Sequence, residues 1–485
     1  MTESKKTKNK AYYINSVICV ALMIFVGFLP SPIETITPLG MRILGIFVGL
    51  IYGWIFVDLV WPSFLSFLML GFSGTMNVTE AFVEGFGSTI YLQVMMLFLV
   101  AAYFEQCGLT EYIAKWFVSL KINVGRPWVL SFMLFICAIV LSCTVSYFAG
   151  MLILWSIFYK ICDIYDFKLG DAYTGFMVGG MMYVASVSTA LFPFTSYGII
   201  VQGLVQASVG EVAGAVPVGP WTLLNVFVSL AIIMLYMAFG KFVLKIDLSR
   251  MKEKGDVFED MRKEKMTHNQ KVGLIYMVVF IIMLMGGTIF PSPLKEWFAN
   301  LGILGACAVC VIGMVFIRNE EGISKCTIEK LSNGLSWKTL ILMAATMPMA
   351  TALEMDEVGV INTVVTWLTG TFSQYSSAVF LVIVVVLFAL ITQFVHNMVL
   401  LFIFCPVLCQ TCVALGISPW LFAVLLTLAL QISMATPAAS TQSAMVFANS
   451  NWITTKQAYT NALTFVAISV VVLILSVPIG MMIFG

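Results

Sequence analysis

Residues 376–414 read SSAVFLVIVVVLFALITQFVHNMVLLFIFCPVLCQTCVA. The stretch is apolar at both ends and interrupted in its middle by Thr392-Gln393 and His396-Asn397. In hydrocarbon such an interruption is tolerable only where it is buried in protein or lines a wet cavity. Two forms meet that condition, a pair of full spans or one re-entrant hairpin with its polar tip at mid-membrane. Both enter and leave on the same side. Residues 127–162 repeat the pattern, with Ser142-Cys143-Thr144 as the interruption.

Around these two segments lie apolar runs near 13–30, 41–57, 59–73, 89–106, 172–207, 221–244, 271–290, 300–317, 337–353, 419–449 and 460–484. A helical bilayer crossing takes roughly 20 apolar residues. The expected fold is therefore an all-α polytopic membrane protein of about eleven transmembrane helices plus two re-entrant hairpins. Composition agrees: of 485 residues, 61% are hydrophobic and 10% charged, against about 45–50% and about 25% in soluble domains. A water-soluble fold could not cover that much apolar surface. The net charge of +1, with basic residues concentrated only in the N-terminal tail and one internal loop, leaves no electrostatic footprint for nucleic acid.

The basic tail and the apolar run from Ile14 to Pro30 could be read as a signal peptide, but no small-x-small cleavage site precedes Pro30. A retained first helix is the favoured reading. Of the 11 cysteines, Cys19, Cys137, Cys307, Cys310 and Cys405 lie inside apolar runs, where a free thiol packs as a small hydrophobe. The Cys307-Cys310 spacing suits redox or metal chemistry, but no His or second pair lies nearby, so packing is expected.

Loop charge tests the span count, because Lys and Arg accumulate on the cytoplasmic side. With the N-terminus inside, all of the 25 basic residues except Arg42 and Lys295 fall on inner segments. A parity error anywhere would scatter them over both faces. The C-terminus is then outside, and the expected location is the plasma (inner) membrane of a bacterium. The one sizeable charged stretch, Lys245 to Lys271, divides the chain near its midpoint and reads as a solvated linker helix.

The two halves repeat. Gly85-Phe-Gly-Ser-Thr-Ile-Tyr, then Val94-Met-Met-Leu to Glu105 and Gly108-Leu109, match Gly334-Leu-Ser-Trp-Lys, then Leu340-Ile-Leu-Met to Glu354 and Gly359-Val360. Each copy precedes an interrupted segment. Each is then followed by a long span broken at Pro and hydroxyl residues, Phe192-Pro193-Phe194-Thr195-Ser196 and Thr436-Pro437-Ala438-Ala439-Ser440-Thr441. The opening span of the first copy runs outside to inside and that of the second inside to outside, so the repeats are inverted. Inverted repeats with discontinuous helices mark secondary transporters, with the site at the repeat interface. Freed carbonyls and hydroxyls suit a hard cation such as Na⁺, and half-helix N-termini suit an anion.

In this order of parts the chain resembles the divalent anion/sodium symporter family of the ion transporter superfamily. That family carries Ser-Asn-Thr at each hairpin tip, where this chain has Ser142-Cys143-Thr144 and His396-Asn397-Met398. Thr392-Gln393-Phe394-Val395-His396-Asn397 resembles the family's Thr-Glu-Phe-x-Ser-Asn run. Pro437 to Phe447 resembles its Pro-x-Ala-Thr-Pro-Pro-Asn-Ala-x-x-Phe run, and Tyr183 to Ser196 stands at its Gly-rich break.

The resemblance implies an elevator mechanism in a homodimer. It implies scaffold helices in 1–126 and 271–375, a cytoplasmic linker at 246–270, and transport-domain halves in 127–245 and 376–485. It also implies Na⁺ as coupling ion. One Na⁺ site would use Ser142, Cys143 and Thr195, where soft sulfur replaces the family's amide oxygen. The other would use Thr392, the Val395 backbone, Asn397 and the Ala439 backbone. Substrate contacts would fall on Cys143, Thr144, Ser196, Asn397, Met398, Ser440 and Thr441.

His396, at membrane depth, is read from the residues alone as either an anion contact, a proton-coupling group or a neutral imidazole bonded to a nearby carbonyl. Glu105 and Glu354 lie at span ends and are expected to snorkel; Met181-Met182 and Met343 to Met349 are expected to pack. The expected function is a Na⁺-coupled symporter of a small anion such as a di- or tricarboxylate or sulfate. A Na⁺-independent or proton-linked carrier or exchanger is the alternative, with a channel or membrane enzyme more remote. There is no nucleophile motif, metal cluster or charged ring to support the last two.

Overall fold

The computed structural model describes residues 10–144, 147–253, 256–315, 327–437 and 439–484; for Thr144, Ala149, Glu253, Thr288, Ile289, Val315 and Ile328 it describes the backbone only. The basic residues Lys5, Lys6, Lys8, Lys254, Arg318 and Lys325, and Ala438 of the second break, lie outside the described residues. Every described element is helical.

The first half runs through α1 (Lys10–Phe25), α2 (Pro38–Phe56), α3 (Trp61–Ser73), α4 (Val78–Phe86), α5 (Thr89–Gln106) and α6 (Leu109–Ser119). It continues with the helix pair α7 (Pro127–Thr144) and α8 (Tyr147–Ile164), the broken pair α9 (Ala172–Val187) and α10 (Ser196–Val209), and α11 (Val218–Ala238). Two short linker helices follow, α12 (Arg250–Glu253) and α13 (Glu259–Lys263). The second half has α14 (His268–Ile289), α15 (Leu294–Val315), α16 (Ile328–Ser332), α17 (Trp337–Glu354) and α18 (Val360–Phe372). Then come α19 (Ser377–Ile391) and α20 (Asn397–Ala414), the broken pair α21 (Pro419–Gln431) and α22 (Thr441–Ala448), and α23 (Thr455–Phe484). Among the described residues eight helical segments are individually long and apolar enough to span a membrane. Of the expected spans, 59–73 is the shorter helix α3, 337–353 is α17, which is not one of the eight, and 172–207 and 419–449 are the two broken pairs; α20, an arm of the second interrupted segment, is one of the eight. The short connecting helices α4, α6, α16 and α18 fell outside the span count, being too short to cross a bilayer.

Element order from α2 to α11 matches that from α14 to α23, and the halves interlock by exchange. Helix α5 packs on α14, α15 and α16, while α17 packs on α2, α3 and α4. The equivalent turns Gly108 and Gly359 adopt the same left-handed backbone, with φ 72° in both, at the N-termini of α6 and α18. Helices α9 and α21 form the centre: every residue of α21, and α9 from Tyr173 to Val187, is buried. A helix apolar on all sides must be enclosed, and these two carry the breaks.

Close approach shapes the entry helices too. Gly45, Gly49 and Gly53 form a stripe on α2 that faces α1, where Cys19 Sγ donates to Gly49 O at 3.2 Å. Small residues at this spacing let helix backbones touch in lipid. No described cysteine forms a disulfide, and Cys307 and Cys310 are buried in packing.

The central linker differs from the solvated helix expected of its composition. Met251 and Phe258 are buried, and Arg262 Nε donates to Ser119 O at 2.8 Å while pairing with Asp256. Lys115 pairs with Glu264, and Arg250 reaches Asp166 O and Asp171. The charges clasp the end of α6 and the α8–α9 loop. Hydrogen bonding from Arg262 holds the Asp256 carboxyl below the usual carboxylate range. Because the folded-state value is depressed, the clasp is intact at neutral pH and is lost only as pH falls through that lowered value. Arg262→Ala should raise limited proteolysis within 250–265 severalfold at neutral pH, and acidification below the carboxylate range should do the same to the wild type. Unchanged cleavage would refute the clasp.

Candidate functional site

The first tip closes helix α7 rather than forming a loop: Ser142 Oγ donates back to Ile139 O at 2.9 Å, and Cys143 Sγ donates to Ser188 O at 3.0 Å. Thr144 ends the helix, its side chain outside the described atoms. The facing break, 188–195, has several of its carbonyls engaged. Trp221 Nε1 donates to Ala190 O at 2.8 Å, Thr195 Oγ1 to Phe192 O at 2.9 Å, and the Gln202 amide to Pro193 O. Thr195 also caps α10 by accepting from Gly198 N at 3.1 Å. Cys143, Thr195 and Ser196 share the wall of a cavity of about 140 Å³, opposite Phe104 of α5 and Phe280 of α14.

In the second half Thr392 caps the end of α19, and His396 caps the start of α20, with Nδ1 accepting from Met398 N at 3.3 Å. An accepting Nδ1 carries a lone pair, so the ring in this arrangement is neutral. Asn397, buried, accepts from the same N–H at 2.9 Å and donates through Nδ2 to Gln431 Oε1 at 2.7 Å. Val395 is half-buried and Ala439 buried, with Ala439 N donating to Thr436 O at 3.1 Å. Ser440 caps α22, accepting from Ser443 N at 3.2 Å and donating to Ser433 O at 2.6 Å. Thr441 is exposed at the first position of α22.

The two halves meet through residues that sequence reasoning did not place in the site. Gln431, 2% exposed, accepts from Asn397 and donates to Thr189 Oγ1 of the first break. Ser186 donates to Gln431 O at 2.9 Å and accepts from Gln442 Nε2 at 3.0 Å. Cys143 bonds two residues away, at Ser188. Both tips and both breaks thus converge on 186–189. The available signal was an amide, Gln431, ending a run from Pro419 whose only other polar residue is Thr427. Glu354 also departs from expectation: its carboxylate accepts from Gln410 Nε2 at 3.4 Å, and that amide also reaches Ser208 O, so it is bonded in the bundle rather than snorkelling. Glu105 is exposed.

At the second expected site the Thr392 hydroxyl donates to Leu430 O at 3.2 Å, and Asn397 Oδ1 accepts from a backbone N–H. Each oxygen keeps a lone pair beyond these bonds, so both remain of the hard-oxygen type that ligates cations. Among the described residues no cluster of His, Cys, Asp and Glu could hold a metal ion.

No curated protein sequence matches the chain. Among solved structures it is similar to the YdaH transporter of Alcanivorax borkumensis, with TM-score 0.59 and 14% identity over 96% of this chain and 97% of that one, a likeness of fold. The family model described as citrate transporter matches residues 43–400. The molecule is an integral membrane protein with a transporter fold, and the chain belongs to the citrate transporter family.

Proposed function

We propose that the protein is a secondary active transporter of a small anion, with its site where the two tips and two breaks converge. The observation that carries this reading is the bonded cluster joining Cys143, Ser186, Ser188 and Thr189 to Asn397, Gln431 and Gln442. Such polar groups are costly in a membrane core unless bonded to one another, and where they persist there they mark substrate and ion pathways. An anion in the adjoining cavity would meet the α10 N-terminus and the hydroxyls of Thr195 and Ser196, with no Lys, Arg or His in the wall among the described residues. Di- and tricarboxylates and sulfate are the first candidates. The family's description points to citrate, while the aromatic lining favours an anion with some apolar surface.

By resemblance, the hairpins and broken helices of 127–245 and 376–485 move as one body past 1–126 and 271–375 in an elevator, within a homodimer. The orientation proposed is an N-terminus in the cytoplasm of a bacterium. Na⁺ coupling is the reading the resemblance implies. A Na⁺-independent or proton-linked carrier is the second reading, favoured by the soft sulfur of Cys143 at the first expected site and by His396 at the second tip. Substrate contacts are proposed for Cys143, Thr144, Ser196, His396, Asn397, Met398, Ser440 and Thr441.

The test is melting temperature in detergent against dicarboxylates, citrate, sulfate and monocarboxylates, followed by uptake of any hit into proteoliposomes. A ligand that binds only the folded state raises the transition by mass action, by about 2.7 kcal/mol at a hundred times its Kd. A saturable rise with one anion together with its uptake is expected. No shift and no uptake with any of them would overturn the reading.

A further inference from the structure

The second break frees a run of carbonyls, and almost all of them receive a side-chain donor. Leu430 O accepts from Thr392, Gln431 O from Ser186, Ile432 O from Gln393, and Ser433 O from Ser440, while Met434 O and Thr436 O share the single Ser443 hydroxyl proton. Gln393 stands at the middle of this arrangement. It is 5% exposed. Its Nε2 donates to Ala389 O at 2.8 Å and Ile432 O at 3.0 Å, and its Oε1 accepts from Met434 N at 3.0 Å and Ala435 N at 2.9 Å. Its own carbonyl accepts from Thr436 Oγ1 at 2.6 Å. The amide orientation is forced, since two carbonyls lie on one side and two N–H groups on the other.

We propose that Gln393 is a positioning residue that takes the place of a coupling cation in the second half, a neutral cross-link fastening the α19–α20 turn to the broken helix α21–α22. The inference rests on the transporter reading for its functional meaning, but its chemistry is local. A cation at a helix break draws freed carbonyls together; here an amide does so, and it supplies acceptors for the freed N–H groups as well. No ion is then needed to assemble this half of the site. A carboxylate at the same position would still accept from Met434 N and Ala435 N, yet would turn a negative oxygen toward Ala389 O and Ile432 O. That repulsion is relieved by a proton or by a cation placed between them.

The test is the melting temperature of the purified full chain, wild type and Gln393→Glu, with choline exchanged for Na⁺ at constant ionic strength from about pH 6 to about pH 9. The wild type should show no saturable Na⁺ shift that arises in the second half, so any shift should survive Thr392→Val. Gln393→Glu should lose stability as pH rises in choline, because a buried carboxyl with a raised folded-state pKa is destabilising once ionised, and Na⁺ should restore it. Gln393→Met, which removes the cross-link without adding charge, should be less stable in every cation alike. A saturable Na⁺ stabilisation of the wild type that Thr392→Val abolishes would overturn the proposal, as would a Gln393→Glu protein indifferent to both Na⁺ and pH. If Gln393→Glu fails to fold, the wild-type titration and Gln393→Met still decide. The measurement needs no transported substrate, so an absence of anion uptake alongside Na⁺-indifferent stability would sink the transporter reading and leave this one standing.

Discussion

Gly359→Ala should yield little or no folded protein after detergent extraction, while the matching Gly108→Ala should extract and elute as the wild type does. The two glycines share a left-handed backbone with φ 72°, so each alanine carries the same intrinsic strain, about 1–2 kcal/mol. Their surroundings differ. A Cβ on Gly108 would meet only the flexible Gln270 side chain, at 3.5 Å, whereas one on Gly359 would drive into the Thr35 carbonyl. That carbonyl cannot swing away, because its loop is tied to the same turn by Thr35 Oγ1 to Thr363 Oγ1 at 2.6 Å and Thr37 Oγ1 to Glu357 O at 2.6 Å. Gly40 meets Val358 O from the other side with equally little room. Overpacking of this kind costs about 1–3 kcal/mol beyond the strain. Together the two effects consume much of a stability of about 5–15 kcal/mol. The check is the monodisperse fraction on size exclusion for both variants. Equal recovery would mean that the α1–α2 loop does not seat on the turn before α18.

These paired glycines also show what was legible in the sequence. The motifs ending in Gly108-Leu109 and Gly359-Val360 announced the repeat, and the structure gives both the same backbone and the same place at a helix start. Apolar length located the long helices to within a few residues, because backbone satisfaction in lipid leaves little choice but helix. The linker was not legible. Arg250 and Arg262 look like ordinary loop charge until partners at Asp166, Asp171 and Ser119 arrive from distant positions. Glu354 escaped for the same reason, its partner Gln410 being far along the chain. Within the site, the hairpin and break positions could be read from polar residues in apolar runs. Gln393 entered only as a flank, and Gln431 and Gln442 not as site residues at all. A side-chain amide offers no periodic signal, and its importance lies in bonds whose partners are mostly far along the chain, four for the Gln393 side chain, two for that of Gln431 and one for that of Gln442.

The Asn397–Gln431 pair should prove the most sensitive link between the halves. Asn397→Ala leaves Gln431 Oε1 buried without its 2.7 Å donor, and Gln431→Leu strands Asn397 Nδ2 and removes a donor to Thr189. Orphaning a buried polar group costs about 1–3 kcal/mol, so each single variant should melt lower than the wild type. Removing both partners together avoids most of that penalty. The double variant should therefore be destabilised by less than the sum of the singles, with a coupling of about 0.5–3 kcal/mol. Transport should behave otherwise. If the cluster forms the anion's path, uptake per folded molecule should fall at least tenfold, about 1.4 kcal/mol in the barrier, in both singles and stay low in the double. Recovered stability cannot replace a lost ligand. Uptake that returned with stability in the double variant would assign the pair a purely structural role and move the anion site toward the cavity at Cys143, Thr195 and Ser196. The stability cycle and the transport cycle thus separate holding the two halves together from carrying the anion between them.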